Sequence, residues 1–346
     1  MKIFGRYLAY RLKQGALRTL IFTLLSLMLI MVVVPAGIDS SYIEYHDTSL
    51  YMQAIILGVF ATLIPILETS AFKNRRNLDT LYFFPIKRMT MALVHYISGF
   101  IQVVVIYSIP FFASWSYLEA QTDYFELHHM LGYYFLSLLV GLMMYSIFIF
   151  LFGQANTVTD GVLFCLLWIY AIYLVAWTVR SELLWSLLYE TQLLESTTDL
   201  TEWTLIYAPI NNLTVIFQDL IEVNQRVYEY SYTHETAMEY REYAYMFAVW
   251  AALGIAAAFG YLTTFVRKGA EKAGEISNSW FGYKILIPIY GYCLMLAFDE
   301  IGFTAVLIIA MMVIGYVIYR RGFKFKLSDY IMMGIGALPM ILGALV

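Results

Sequence analysis

Charge is scarce in this chain. Asp, Glu, Lys and Arg together make up only 13% of its 346 residues, against 61% hydrophobic and 18% aromatic, a balance outside the range of water-soluble globular domains. Cysteine is nearly absent. Cys165 and Cys293 both fall in apolar runs, which excludes a disulfide framework and leaves each as a small hydrophobe. His128 and His129 are the only adjacent histidines, and neighbours in sequence do not share a helix face, so no metal site is expected there. The chain also lacks a nucleophile elbow, a zinc-protease helix, a phosphate-cradling loop and a dinucleotide fingerprint. No catalytic residue, cofactor or metal is therefore expected on this chain, and nucleic acid is not an expected partner.

What the sequence does have is long apolar runs. A hydrocarbon core of about 30 Å needs about 20 helical residues, and runs of that order occur at 19–37, 49–71, 89–115, 130–152, 161–179, 243–265, 281–298, 301–319 and 328–346. The seventh is the shortest. The strict alternation of a transmembrane β-barrel is missing, so the expected fold is all-α, a polytopic helical membrane protein with six core helices and about three more at the C-terminal end.

Basic residues set the orientation, because cytoplasmic loops retain Lys and Arg. With the N-terminus inside, eighteen of the twenty-one basic residues lie on the inner side, in groups at Lys2–Arg18, Lys73–Arg88, Arg267–Lys284 and Arg320–Lys326. Only Arg180, Arg226 and Arg241 fall outside, where most acidic residues also lie. The stretch IFGRYLAYRLKQGAL (3–17) groups Ile3, Phe4, Tyr7, Leu8 and Leu12 near one face and suits an interfacial helix preceding an uncleaved first span. VVVPAG (32–37) offers a competing signal-cleavage reading. Nine spans place Val346 outside after an apolar ILGALV, which suggests a continuation beyond it.

The most informative segment is the basic loop between the second and third spans. Its 17 or so residues far exceed a tight helix connection. Leu78, Leu81 and Tyr82 share one face, Arg75, Arg76 and Asp79 point elsewhere, and Pro85 stops the helix before Lys87 and Arg88. Such a short amphipathic helix fits either a groove on a soluble partner or an anchor resting on lipid headgroups.

Three segments carry a resemblance to a known family. The run from Phe72 to Arg88 (FKNRRNLDTLYFFPIKR), followed by His95 to Gly99 (HYISG), resembles the cytoplasmic loop of ABC-2-type transporter permeases of Gram-positive bacteria. Val266 to Glu275 (VRKGAEKAGE) is similar to the segment that ends their six-helix core, and Phe152 to Gly161 (FGQANTVTDG) matches more weakly. Phe84 stands where leucine is commoner. The resemblance covers the inner face of residues 1–275 and says less about 276–346. It implies a permease subunit of an exporter in the bacterial plasma membrane, with no nucleotide site of its own. The implied partners are a separate ABC ATPase carrying ATP and Mg, a second permease copy and membrane lipids. Residues 72–84 would be the coupling helix, with Arg75, Arg76, Leu78, Asp79, Leu81, Tyr82, Pro85 and Arg88 as ATPase contacts and residues 3–17 as the elbow helix. Asn156, Asp160, Arg267 and Glu271 would form a second cytoplasmic contact.

Glu68 is the one acid embedded near the inner end of an apolar span. It is read either as part of a gate or relay or as a simple partner of the nearby Lys73 belt. The acidic, Tyr-rich stretch 181–242 is expected to fold, with helices in WSLLYETQLLES and in LTVIFQDLIEV after PINN, and a further helix from Thr233 running into the sixth span. Its negative charge suits a cationic ligand such as a host-defence peptide, or simply reflects the exclusion of Lys and Arg. Gly254, Ala256, Ala258 and Gly260 have small-xxx-small spacing for close packing within the chain or at a dimer interface. The expected cargo is amphipathic or hydrophobic: a peptide, an antibiotic or a lipid-like molecule. The competing classes are a secondary carrier, disfavoured by the scarcity of buried ionisable groups, and a membrane scaffold or sensor.

Overall fold

The computed structural model describes residues 2–36, 44–74, 86–121, 127–178, 209–217, 236–297 and 303–339. Among them there is no β-strand. The helices are α1 (Lys2–Ala36), α2 (Glu44–Thr69), α3 (Arg88–Gln121), α4 (Leu127–Gln154), α5 (Val158–Thr178), α6 (209–217), α7 (Thr236–Arg267), α8 (Tyr283–Ala297), α9 (Phe303–Arg320) and α10 (Leu327–Gly336). Seven of these are long and apolar enough to cross a membrane, which makes the chain an all-α, multi-pass membrane protein.

The first six expected spans each coincide with a long helix. Of the three expected after them, α9 is full length. α8 has 15 residues, about 22 Å, and α10 has 10, about 15 Å, so both described helices fall short of the roughly 30 Å core. The last residues of the expected ninth span, 340–346, lie outside the described residues. The elbow expected at 3–17 and the first span form one uninterrupted helix, because nothing between Lys13 and Thr19 other than a single glycine interrupts helical propensity.

The chain divides into two compact units. The first holds α1, α2, α3, α4 as far as Phe150, α6 and α7. Arg11 meets Glu68 and Phe22 meets Phe60, so α1 and α2 run antiparallel; Tyr7 meets His95 and Arg18 meets Gln102, so α1 and α3 run parallel. Hydroxyl pairs link α3 to α4: Tyr96 with Ser146 at 2.6 Å, Tyr107 with Ser137 at 2.8 Å and Ser108 with Tyr134 at 2.7 Å. Inside a membrane such groups must find partners within the protein. Gly99 brings the Tyr145 hydroxyl against the α3 backbone, where a Cβ would collide with it. The small residues of α7 serve the same purpose, since a Cβ on Gly254 would lie 2.9 Å from the Met143 backbone and one on Gly260 would lie 2.8 Å from the Phe150 ring. The Gly254 and Gly260 positions are thus taken by packing within the chain. The described part of α6 begins with Pro209, and its Thr214 bonds Tyr133 of α4 at 3.1 Å.

The second unit holds Phe72–Asn74, the last turn of α4 from Leu151, α5, α8, α9 and α10. Phe164 of α5 packs edge-on to Tyr283, and Tyr290 donates to the Leu167 carbonyl at 2.7 Å. Gly291 and Gly336 let α8, α9 and α10 close around Met312. Arg320 at the end of α9 grips the buried Asp329 of α10 with two bonds, 2.7 and 2.5 Å.

Candidate functional site

Helix α1 carries Tyr7, Arg11, Gly15 and Arg18 at spacings of four, four and three, which puts them on one face. That face meets Glu68 near the end of α2 and His95 and Gln102 on α3. Glu68 is only 1% exposed. Its Oε1 accepts from Arg11 Nη2 at 2.9 Å and Nε at 3.3 Å, and its Oε2 accepts from Arg18 Nη2 at 2.6 Å and Gln102 Nε2 at 3.3 Å. The carboxylate is therefore fully engaged by donors. Gln102 Oε1 in turn accepts from Arg18 Nη2 at 2.6 Å, and Gln14 Oε1 accepts from Arg11 Nη1 at 2.6 Å. Gly15 makes room for this, since a Cβ there would sit 3.0 Å from Gln102 Nε2.

His95 completes the set. Its Nδ1 faces Glu68 Oε1 at 3.4 Å and its Nε2 lies 3.0 Å from the Tyr7 hydroxyl. A neutral ring with its proton on Nδ1 suits both neighbours, pointing N–H at the carboxylate and accepting from the phenol. Burying a carboxylate and a guanidinium costs several kcal/mol each unless they are paired and hydrogen-bonded, and here they are. Two guanidiniums against one carboxylate leave a formal charge of +1. With Glu68 as its hub and its carboxylate held by donors from two other helices, the arrangement acts as a joint between α1, α2 and α3.

Of the two readings of Glu68, the one that made it a partner of Lys73 fails, because its carboxylate pairs with Arg11 and Arg18. Lys73 turns instead to the last turn of α4, where Nζ donates to the carbonyls of Phe152 at 2.7 Å and Ala155 at 2.5 Å, a cation capping a helix C-terminus. The scarcity of buried ionisable groups that counted against a carrier is also overturned, since Tyr7, Arg11, Glu68 and His95 are all buried together. Sequence reasoning missed Arg11, Arg18 and Gln102 as its partners. The available signal was the shared α1 face, which charge counting by loop does not register.

Of the expected ATPase contacts, Arg75, Arg76, Leu78, Asp79, Leu81, Tyr82 and Pro85 lie outside the described residues. Arg88 is described: it is exposed at the start of α3, with Nη1 3.4 Å from the Lys268 carbonyl. Of the second expected contact, Asn156 and Asp160 are brought together. Asn156 Nδ2 donates to the Ile276 carbonyl at 3.0 Å, its backbone N–H donates to Ser277 Oγ at 2.8 Å, and its carbonyl accepts from Gly274 N–H at 2.9 Å. Ser277 and Tyr283 then donate to the two Asp160 oxygens at 2.5 and 3.1 Å. Asn156 is thus spent, through its side chain and its backbone together, on holding residues 274–277. Arg267 and Glu271 are exposed and belong to neither cluster.

Compared with known protein families, characterised proteins and solved structures, the chain matches none.

Proposed function

We propose that this chain is the transmembrane permease subunit of an ATP-driven ABC-2-type exporter, moving an amphipathic or hydrophobic substrate and coupled through residues 72–88 to a separate ATPase. The reading places the N-terminus in the cytoplasm of a bacterial cell and pairs the chain with a second permease copy. One observation supports it above the rest: the basic loop is rooted at both ends. Lys73 before it holds the last turn of α4, within the Phe152–Gly161 segment, and Arg88 after it reaches Lys268, within the Val266–Glu275 segment. Behind those roots, Glu68 on α2 and His95 and Gln102 on α3 are tied to one another and to α1. A loop that transmits force needs such stiff footings, whereas a headgroup anchor needs none.

The buried Tyr7–His95–Glu68 chain favours a second reading, a proton-coupled carrier. Affinity purification from the native membrane separates the two. The wild type is compared with a variant carrying Asp79→Ala, Leu81→Glu and Arg88→Ala. An ATPase that accompanies the wild type and is lost from the inserted variant is the expected result. If none accompanies either protein, the permease reading falls and the carrier moves ahead.

A further inference from the structure

The C-terminal third of the chain carries a feature that the permease reading does not use. Helix α9 is about 27 Å of apolar helix, so the turn after it sits at headgroup depth. That turn, RRGFKFKL (320–327), is built rather than loose. The Gly322 N–H bonds the Val317 carbonyl at 3.1 Å and the Arg321 N–H bonds Ile318 at 3.2 Å, with Arg321 at φ 52°, which closes α9 in a Schellman-type stop. Asp329 then fixes the far side, accepting from Arg320 and, at 2.9 Å, from the Lys326 N–H.

Arg320 and Asp329 neutralise each other in the interior. What remains exposed on the turn itself is of one sign: Arg321, Lys324 and Lys326, none of which has an ion pair among the described residues. Between these cations stand Phe323, 82% exposed, and Leu327, 78% exposed. Trp280, with the Lys284 ammonium 4.0 Å over its ring, belongs to the same end of this unit, because Tyr319 bonds Asn278 and Tyr316 bonds the Lys284 carbonyl. Alternating aromatic and cationic side chains are the signature of the membrane–water interface.

An apolar groove begins a short way along α10. It has a volume of about 210 Å³ and is lined by residues of α5, α8 and α10, among them Val175, Pro288, Tyr292, Met332 and Ile335. Nine helical residues separate Lys326 from Ile335, about 13 Å, comparable to the distance from a phosphate to the middle of an acyl chain.

We propose that this is a binding site for one anionic phospholipid, its phosphate held by Arg321, Lys324 and Lys326 and one acyl chain laid in the α5–α8–α10 groove. The site stands apart from the transport reading. Charge selects the occupant: a zwitterionic lipid fills the groove but brings its own ammonium beside the phosphate and so offers the three cations no net negative charge, and an acidic protein satisfies the cations but leaves the groove and Phe323 uncovered.

The test is native mass spectrometry of the purified full chain after exposure to equal amounts of phosphatidylglycerol and phosphatidylcholine with identical chains. A cation near an anionic surface contributes on the order of five-fold, so the wild type is expected to retain phosphatidylglycerol at least about ten-fold over phosphatidylcholine. Replacing Arg321→Asn, Lys324→Gln and Lys326→Gln, with asparagine chosen to tolerate the left-handed backbone, removes the preference to within about two-fold. Ile335→Trp fills the groove and lowers retention of both lipids while the cations stay in place. Thermal midpoints in detergent show that each variant is folded, and the single Lys324→Gln change, expected to lower the preference several-fold, serves if the triple variant is not. No headgroup preference in the wild type, or a preference unchanged in the folded variants, overturns the proposal. So does a variant that keeps its lipid and loses an acidic protein instead.

Discussion

Removing the Glu68 carboxylate tests the joint most directly. Glu68→Ala strips the partner from two guanidiniums at once. The Arg11 side chain is almost fully buried and keeps only Gln14, so it bears most of the loss; Arg18 is 26% exposed and keeps Gln102 and water, so its share is discounted. Breaking a buried pair by deleting one member costs about 3–5 kcal/mol, and with Arg18 partly screened the lower end applies, about 3 kcal/mol, over a hundred-fold in the unfolding constant. Glu68→Gln keeps the shape and one acceptor, and about half that cost is expected. The decisive variant is Glu68→Ala with Arg11→Met and Arg18→Met. Deleting every charge removes the stranded cations, and stability is expected to return to within about 1 kcal/mol of the wild type. Reversible unfolding in mixed micelles, titrated with SDS, measures all four proteins. A cost below about 1 kcal/mol for Glu68→Ala, or a triple variant no more stable than the single one, would refute the joint.

Three further outcomes are expected. Lys73→Met uncaps the last turn of α4 at a cost of about 1–2 kcal/mol, seen as faster hydrogen exchange at residues 153–156 with exchange elsewhere unchanged. Asp160→Ala strands Ser277 and Tyr283, costs about 1–3 kcal/mol and deprotects the Asn156 amide that Ser277 holds; equal protection in both proteins contradicts the assigned network. Gly254→Val drives a side chain into the Met143 backbone and costs about 1–3 kcal/mol in thermal stability, whereas Ala256→Val on the exposed face of the same helix changes it by less than about 0.5 kcal/mol.

The spans were legible because a helix in hydrocarbon satisfies its own backbone, so length and apolarity alone nearly define it; runs at 49–71 and 130–152 became helices ending within a few residues of those limits. A helix over Leu213–Phe217 and the continuous helix entering the sixth span from Thr236 were legible for a similarly local reason, the apolar spacing of their residues. Glu68 stood out as an anomaly, yet its partners did not, because Arg11 and Arg18 are 57 and 50 residues away and only the packing of α1 on α2 and α3 brings them there. Lys73, five residues from Glu68, was the obvious partner by proximity, and a helix C-terminus claimed it instead. Asn156 and Asp160 were read as a surface for another protein, and Asn156 turned out to be committed to the chain itself, a competition that spacing cannot reveal.

The separation between Arg11 and Glu68 has a consequence for biosynthesis. A ribosome adding about 5–20 residues per second leaves the two arginines of the first helix without their carboxylate for about 3–11 s. His95 and Gln102 arrive later still. During that interval the nascent helix carries cations that hydrocarbon does not welcome, which favours its retention at the insertion machinery or at the water boundary until the second helix emerges. The order of synthesis thus sets the order of release into the bilayer: the first helix leaves in company, with its counter-ion, rather than alone.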